Sequence, residues 1–200
     1  MSQNLLKRIS TSVILLSLLF FINFSHQYIF ILSILIVGLI ICVEANNILS
    51  KLTVNKNLKK KITIKKFNFR FLLLNLLTFC YIFFIFCNFS YEIHRLEGPT
   101  FFLYVVSICI FTDIGGYVFG KIIGGKKLSK ISPNKTISGT IGSFIFSVMP
   151  LFFFLSFSYL DLELNLNYVL FSLLISLISQ IGDLFISFFK RKARIKDTGK

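Results

Sequence analysis

Four stretches of the chain, residues 9–25, 27–43, 71–91 and 136–160, contain no charged side chain and are long enough to cross a bilayer. A spanning helix needs about 20 mostly apolar residues, with a range of about 17–25. Two further stretches, 98–120 and 164–189, would be uncharged but for one acid each, Asp113 and Asp183. The expectation is therefore an all-α, polytopic transmembrane helical bundle of about six spans. The first two runs nearly touch and read as a tight helical hairpin. Pro150 falls inside the fifth run and should kink it, because it lacks an N–H and clashes with the preceding turn. Residues 1–70 form an N-terminal hairpin with a basic loop, and 71–200 form a second transmembrane region.

The placement of charge orients the bundle. With the N-terminus inside and the spans alternating, all of the 22 Lys and Arg residues except Arg95 fall on the inner side. Glu92, Glu97, Asp161 and Glu163 fall outside. Lys/Arg bias sets topology, so an N-terminus in the cytoplasm is expected. Lys7 and Arg8 ahead of an apolar run resemble a signal peptide, but no small-residue cleavage site follows, so the helix reads as retained. Only 15% of residues are charged while 55% are hydrophobic, and the net charge is +14. That combination fits a membrane protein with basic loops and argues against a nucleic-acid partner. Cys42, Cys80, Cys87 and Cys109 all lie within apolar runs and read as buried, inert thiols. His26 and His94 fall in short outer loops and read as solvated.

Two acids stand out. Asp113 precedes Lys121 by eight residues and Asp183 precedes Lys190 by seven, on helices that both run from outside to inside. At 1.5 Å per residue, both lie roughly 10–12 Å above the inner basic boundary. A carboxylate at membrane depth costs a few kcal/mol unless paired, hydrated or metal-bound. Matching depth thus points to one polar cavity open to the cytoplasm. The competing readings are two separate structural ion pairs, or short spans that leave both acids near the interface. Gly115-Gly116-Tyr117, Gly120-Lys121, Gly124-Gly125-Lys126-Lys127 and Ser132-Pro133-Asn134-Lys135-Thr136 follow Asp113. Glycines let backbone N–H groups approach an anion, and lysines supply point charges for phosphates. Gly116, Gly120 and Gly124 are also four apart, which suits close helix packing. The run from Gly120 to Lys126 nearly matches a P-loop. It lacks the Ser or Thr that would bind Mg²⁺ and follows a membrane helix, so that reading is rejected.

Ser187-Phe188-Phe189-Lys190-Arg191, then four residues, then Lys196-Asp197-Thr198-Gly199 resembles the signature of the phosphatidate cytidylyltransferase (CDP-diacylglycerol synthase) family. Gly182-Asp183 resembles the Gly-Asp that precedes that signature. Asp113 to Tyr117 is similar to its Asp-x-Gly-Ala-Tyr element, with Gly116 where Ala is usual. Phe119-Gly120-Lys121 and Ser132-Pro133-Asn134-Lys135-Thr136 resemble its Gly-Lys and Ser-Pro-x-Lys-Thr elements, and Glu44 sits where the family often has Glu. Ile137 and Ser138 depart from the usual aromatic residue and acid or amide. The signature ordinarily continues into His-Gly-Gly, Asp-Arg-x-Asp and a final span. The chain stops at Lys200, so the resemblance implies a C-terminally truncated region, inactive alone.

The resemblance implies a transferase of phospholipid biosynthesis in a bacterial-type cytoplasmic (inner) membrane, acting on CTP and phosphatidate, with its active site facing the cytoplasm. It implies Mg²⁺ as cofactor, with a second cation left open. Asp183, Asp113 and Asp197 are the implied metal-site acids, although Asp197 instead can position a lysine. Lys190, Arg191, Lys196 and Ser187 are the implied catalytic residues. Lys135, Lys121, Thr136 and Ser132 are the implied substrate-binding residues. A homodimer is left open. The rival readings are a CTP-dependent polyprenol or phytol kinase, a cytidylyltransferase for another lipid phosphate, a small transporter with a cation site at Asp113 and Asp183, and an inactive membrane scaffold.

Overall fold

A computed structural model describes residues 3–57, 69–129, 132, 135–156 and 165–195. The described elements are helical: α1 (Gln3–Phe24), α2 (Gln27–Asn57), α3 (Phe69–Cys80), a π-helical segment (Tyr81–Cys87), α4 (Asn88–Leu96), α5 (Gly98–Ile122), α6 (Ile137–Ser147), α7 (Met149–Ser156) and α8 (Leu166–Lys192). Five continuous helical stretches are long and apolar enough to cross a membrane: Gln27–Leu52, Phe71–Leu96, Gly98–Ile122, Ile137–Ser156 and Leu166–Lys192. The sixth expected span corresponds to Ser10–Phe24, which is apolar but shorter. The protein is an all-α, multi-pass membrane bundle.

Its outer surface is what a bilayer requires. Phe21, Tyr28, Phe84 and Phe185 are exposed among long rows of exposed Leu, Ile and Val. A soluble monomer rarely leaves apolar patches of such extent in water. The interior is small by comparison, centred on Leu103, Tyr104, Ile108, Leu151 and Phe154.

The α1–α2 hairpin turns within two residues, as the abutting apolar runs require. α2 continues well past the expected end of its span at residue 43. The third span changes pitch to a π-helical segment and returns to α-helix, and Cys87 at the end of that segment packs against Ile34 and Gly38. Cys87 is buried, and the other three cysteines are half-buried thiols. His26 is exposed in the turn after α1, as expected of a solvated histidine. His94 departs from that reading. It lies on α4, half-buried, with its ring stacked on Phe30 at 3.7 Å and Nε2 3.0 Å from the Asn23 carbonyl oxygen. The bare sequence could not distinguish a helix end packed on its neighbours from a solvated loop.

The fifth span breaks at Val148, between α6 and α7. Pro150 has no N–H for the carbonyl four residues back, and the Leu151 N–H closes a tighter turn onto the Val148 carbonyl at 3.1 Å. The last part of that expected span, 157–160, lies outside the described residues. α5 and α6 are antiparallel neighbours joined by the loop 123–136. The C-terminal end of α5, the N-terminal end of α6 and the C-terminal end of α8 therefore gather at one end of the bundle.

Candidate active site

α5 and α6 meet through glycine. A Cβ at Gly115 would sit 2.5 Å from the Gly142 carbonyl oxygen and 2.6 Å from Phe146 Cβ. One at Gly116 would sit 2.6 Å from Ser143 Oγ, and one at Gly139 2.8 Å from the Gly116 carbonyl oxygen. The two backbones are thus in near contact, as at other small-residue seams in membranes. The glycines after Asp113 accordingly divide into two kinds. Gly115, Gly116 and Gly120 serve the seam, while Gly124 and Gly125 stand in open space at φ +64° and +101°. Gly124 is the left-handed residue that ends α5, a conformation costly for any side chain with a Cβ.

Beyond this turn the chain doubles back in a small clasp. The Leu128 N–H donates to the Lys135 carbonyl at 2.8 Å, and the Ile137 N–H donates to the Lys126 carbonyl at 3.0 Å. The Lys135 N–H closes a turn onto the Ser132 carbonyl at 3.1 Å. Thr136 is the N-cap of α6, its Oγ1 accepting from the Gly139 N–H at 3.1 Å. That cap satisfies an otherwise orphaned donor and fixes where α6 begins. Ser138, at the departure from the family pattern, donates its hydroxyl to the Gly124 carbonyl and lies 3.0 Å from Thr136 Oγ1. The clasp therefore aims Lys135 from a backbone fixed on both sides.

The clasp roofs a cavity of about 360 Å³, bounded by α5, α6 and α8, within the usual range for ligand sites. Asp113, Gly116 and Tyr117 contribute from α5, Ser132, Lys135 and Thr136 from the clasp, Gly139, Thr140 and Ser143 from α6, and Gln180 and Asp183 from α8. The two membrane-depth acids thus share one polar cavity, as their matching depth predicted. Lys135 Nζ donates to Asp183 Oδ2 at 2.9 Å. The lysine side chain is 29% exposed and the aspartate 56%, so the pair faces the opening. Ser143 Oγ donates to the Thr112 carbonyl at 2.8 Å, tying α6 to α5 beside Asp113.

Other expected site residues lie nearby but do not line the cavity. Lys121 donates to the Tyr117 hydroxyl at 3.3 Å and sits 5.5 Å above its ring, so it reaches the site through Tyr117. Ser187 is half-buried one turn beyond Asp183 on the same face of α8, and Lys190 lies a further turn along. Seven residues of helix put Lys190 roughly 10 Å from Asp183 along the axis. Arg191 is exposed, and α8 ends just after it, with Arg194 in the left-handed region at φ 58°. Lys196 and Asp197 lie outside the described residues. Among the described residues, no three His, Cys, Asp or Glu side chains cluster as a metal site.

Thr140, Ser143 and Gln180 were missed at the level of sequence, although their spacing offered a signal. Thr136, Thr140, Ser143 and Ser147 fall at helical spacing on α6. Ser172, Ser176, Gln180 and Asp183 do so on α8. Two polar stripes at steps of three and four, within otherwise apolar spans, mark the inward faces. Ser147, Ser172 and Ser176 are fully buried. Ser172 Oγ lies 2.8 Å from the Tyr104 hydroxyl, and Gln180 Nε2 donates to Ser176 Oγ at 3.2 Å.

Residues 47–200 match a family model described as the cytidylyltransferase family. A phosphatidate cytidylyltransferase of Staphylococcus aureus (strain COL) is 43% identical over 114 residues, covering 56% of this chain and 43% of that protein. That of Staphylococcus haemolyticus (strain JCSC1435) is 40% identical over 108 residues, covering 53% of this chain and 41% of its own. That of Staphylococcus epidermidis (strain ATCC 12228 / FDA PCI 1200) is 38% identical over 109 residues, covering 53% and 41%. The chain thus spans about two fifths of the length of these relatives. No solved structure matches.

Proposed function

This chain belongs to the cytidylyltransferase family, and from that premise we propose that the whole protein transfers a cytidylyl group from CTP to phosphatidate, giving CDP-diacylglycerol and pyrophosphate. The observation that carries this reading is the meeting of Asp113, Asp183 and Lys135 in one cavity, from three separate segments. The names of the staphylococcal relatives supply the substrate class. CTP would arrive from the cytoplasm and phosphatidate from the membrane, both at the end of the bundle where the basic loops lie.

The chemistry requires no protein nucleophile. An oxygen of the lipid phosphate attacks the α-phosphorus of CTP, a new P–O bond forms, and the bond to the pyrophosphate leaving group breaks. The protein's task is to bring two polyanions together and hold them in line, so positioning and electrostatics dominate. Lys135 would hold a phosphate oxygen at the cavity mouth. Ser132, Thr136, Thr140 and Ser143 line the wall with neutral oxygens, and Gln180 adds a carboxamide. Lys190 and Arg191 follow on the α8 side, suited to the triphosphate tail, with Ser187 as a hydrogen-bond donor and Lys196 as a further candidate. The donor set of two carboxylates and neutral oxygens, without sulfur or imidazole, fits a hard cation such as Mg²⁺. Asp183 and Asp113 would hold it, with Asp197 as a further candidate. Once bound, it would supply positive charge against the phosphates.

The test uses the full-length protein with CTP and either lipid phosphates or lipid alcohols. Pyrophosphate release with phosphatidate is expected, whereas CDP release with an alcohol would make the protein a lipid kinase. Asp183→Asn should lower turnover roughly 100- to 1,000-fold, the range for losing one preorganised electrostatic group, while membrane insertion stays normal. Full activity in Asp183→Asn would remove the acid from the reaction centre.

A further inference from the structure

Resting on that reading, we propose that Lys135 is an exchangeable counter-ion: it holds the Asp183 carboxylate until a divalent cation takes its place, and the freed ammonium then serves the incoming phosphate. The geometry of the pair is the starting point. Lys135 Nζ engages Asp183 Oδ2 at 2.9 Å on the open side of the cavity. Asp113 lines the same cavity, and the ion pairs among the described residues, Arg95–Glu92 and Lys135–Asp183, do not include it. Among the described residues, the cavity lining thus holds two carboxylates and one ammonium. A divalent cation reaching both acids meets one that is already engaged, and must displace the lysine or share its oxygen.

The displaced ammonium cannot go far. The Lys135 backbone is held through its own N–H to Ser132, through its carbonyl to Leu128, and by the Thr136 cap that starts the next helix. Only the flexible four-carbon stem is free to move, so the charge stays at the cavity mouth, where phosphate oxygens enter. Lysine suits such an exchange better than arginine, whose planar fork can grip a carboxylate through two parallel bonds. Cation and phosphate then favour one another's binding, because each takes one partner of the resting pair, and such coupling is reciprocal.

The test is Mn²⁺ binding to the detergent-solubilised full-length protein, read by electron paramagnetic resonance without nucleotide or lipid phosphate. Lys135→Met removes the competitor and should bind Mn²⁺ about two- to fivefold more tightly than the unaltered protein, the range expected for a partly exposed pair. Lys135→Arg keeps a competing charge and should bind no more tightly than the unaltered protein. Lys135→Gln serves if the methionine variant melts early, with the same tightening expected. A folded Lys135→Met or Lys135→Gln with unchanged or weaker Mn²⁺ affinity overturns the exchange, as does equal tightening in Lys135→Arg. This readout involves no turnover, so it can fail while cytidylyl transfer stands, and the product assay can fail while the order of Mn²⁺ affinities stands.

Discussion

The two walls of the cavity are built on opposite principles. The wall of α5 and α6 is a seam of backbone against backbone, made possible by side chains that are absent at Gly115, Gly116, Gly139 and Gly142. The wall of α8 depends on side chains that are present, from Ser172 through Ser176 and Gln180 to Asp183. One wall should tolerate no added atom, and the other no removed oxygen. The difference also assigns them different work. A glycine seam positions Asp113 rigidly, whereas a polar stripe can exchange hydrogen-bond partners at the cavity. Among the described spans, the broken helix within the seam is accordingly the most enclosed, and α8 is among the least.

The largest effect should come from adding one carbon to the seam. In Gly115→Ala the new Cβ would press on the Gly142 carbonyl, which is backbone and cannot rotate away. Overpacking of this kind costs about 1–3 kcal/mol, and the upper part of that range is expected here. Thermal unfolding in detergent should show a clearly lowered midpoint, and Asp113 should lose its alignment with Asp183. An unchanged midpoint would mean that the seam is looser than its contacts indicate.

Much of this architecture was legible in the residues. Charge-free runs gave the spans, Pro150 gave the break, and the equal depth of Asp113 and Asp183 gave the shared cavity. The partner of Asp183 was harder to read. Lys135 lies 48 residues away and reaches it only because the clasp and the Thr136 cap aim it there. The glycines after Asp113 satisfied two rules at once, phosphate approach and helix packing, and only the geometry divides them between the seam and the turn. The polar stripes were overlooked because single serines are cheap in a membrane helix, where they can donate to their own backbone. Ser172 does so, to the Tyr168 carbonyl at 3.0 Å. Their meaning appears only when both stripes are laid along facing helices.

A smaller effect should follow from removing an α5 partner of the polar stripe on the other wall. Tyr104→Phe removes the hydroxyl that meets Ser172 at 2.8 Å in the fully buried centre of the bundle. Ser172 keeps its backbone partner, so the loss should be about 1 kcal/mol, the net value of one hydrogen bond. The shift in melting midpoint should be well below that of Gly115→Ala. A neutral result would mean that the stripe contributes little to stability and is retained for the cavity alone.

The smallest effect provides the control, because it replaces a glycine on the wall that does not rely on glycine. Gly182 is helical, and a Cβ there meets nothing within 4 Å. In a helix interior, alanine is worth about 0.5–1 kcal/mol over glycine, so Gly182→Ala should leave the midpoint unchanged or raise it slightly. The same substitution thus changes sign between the two walls, which steric contact explains and a general intolerance of the site does not. Gly182 also precedes Asp183 directly. Packing within the described residues therefore places no demand on this glycine. A fall in turnover alongside an undiminished midpoint would show that substrate, or a part of the protein beyond those residues, closes against the open face at Gly182.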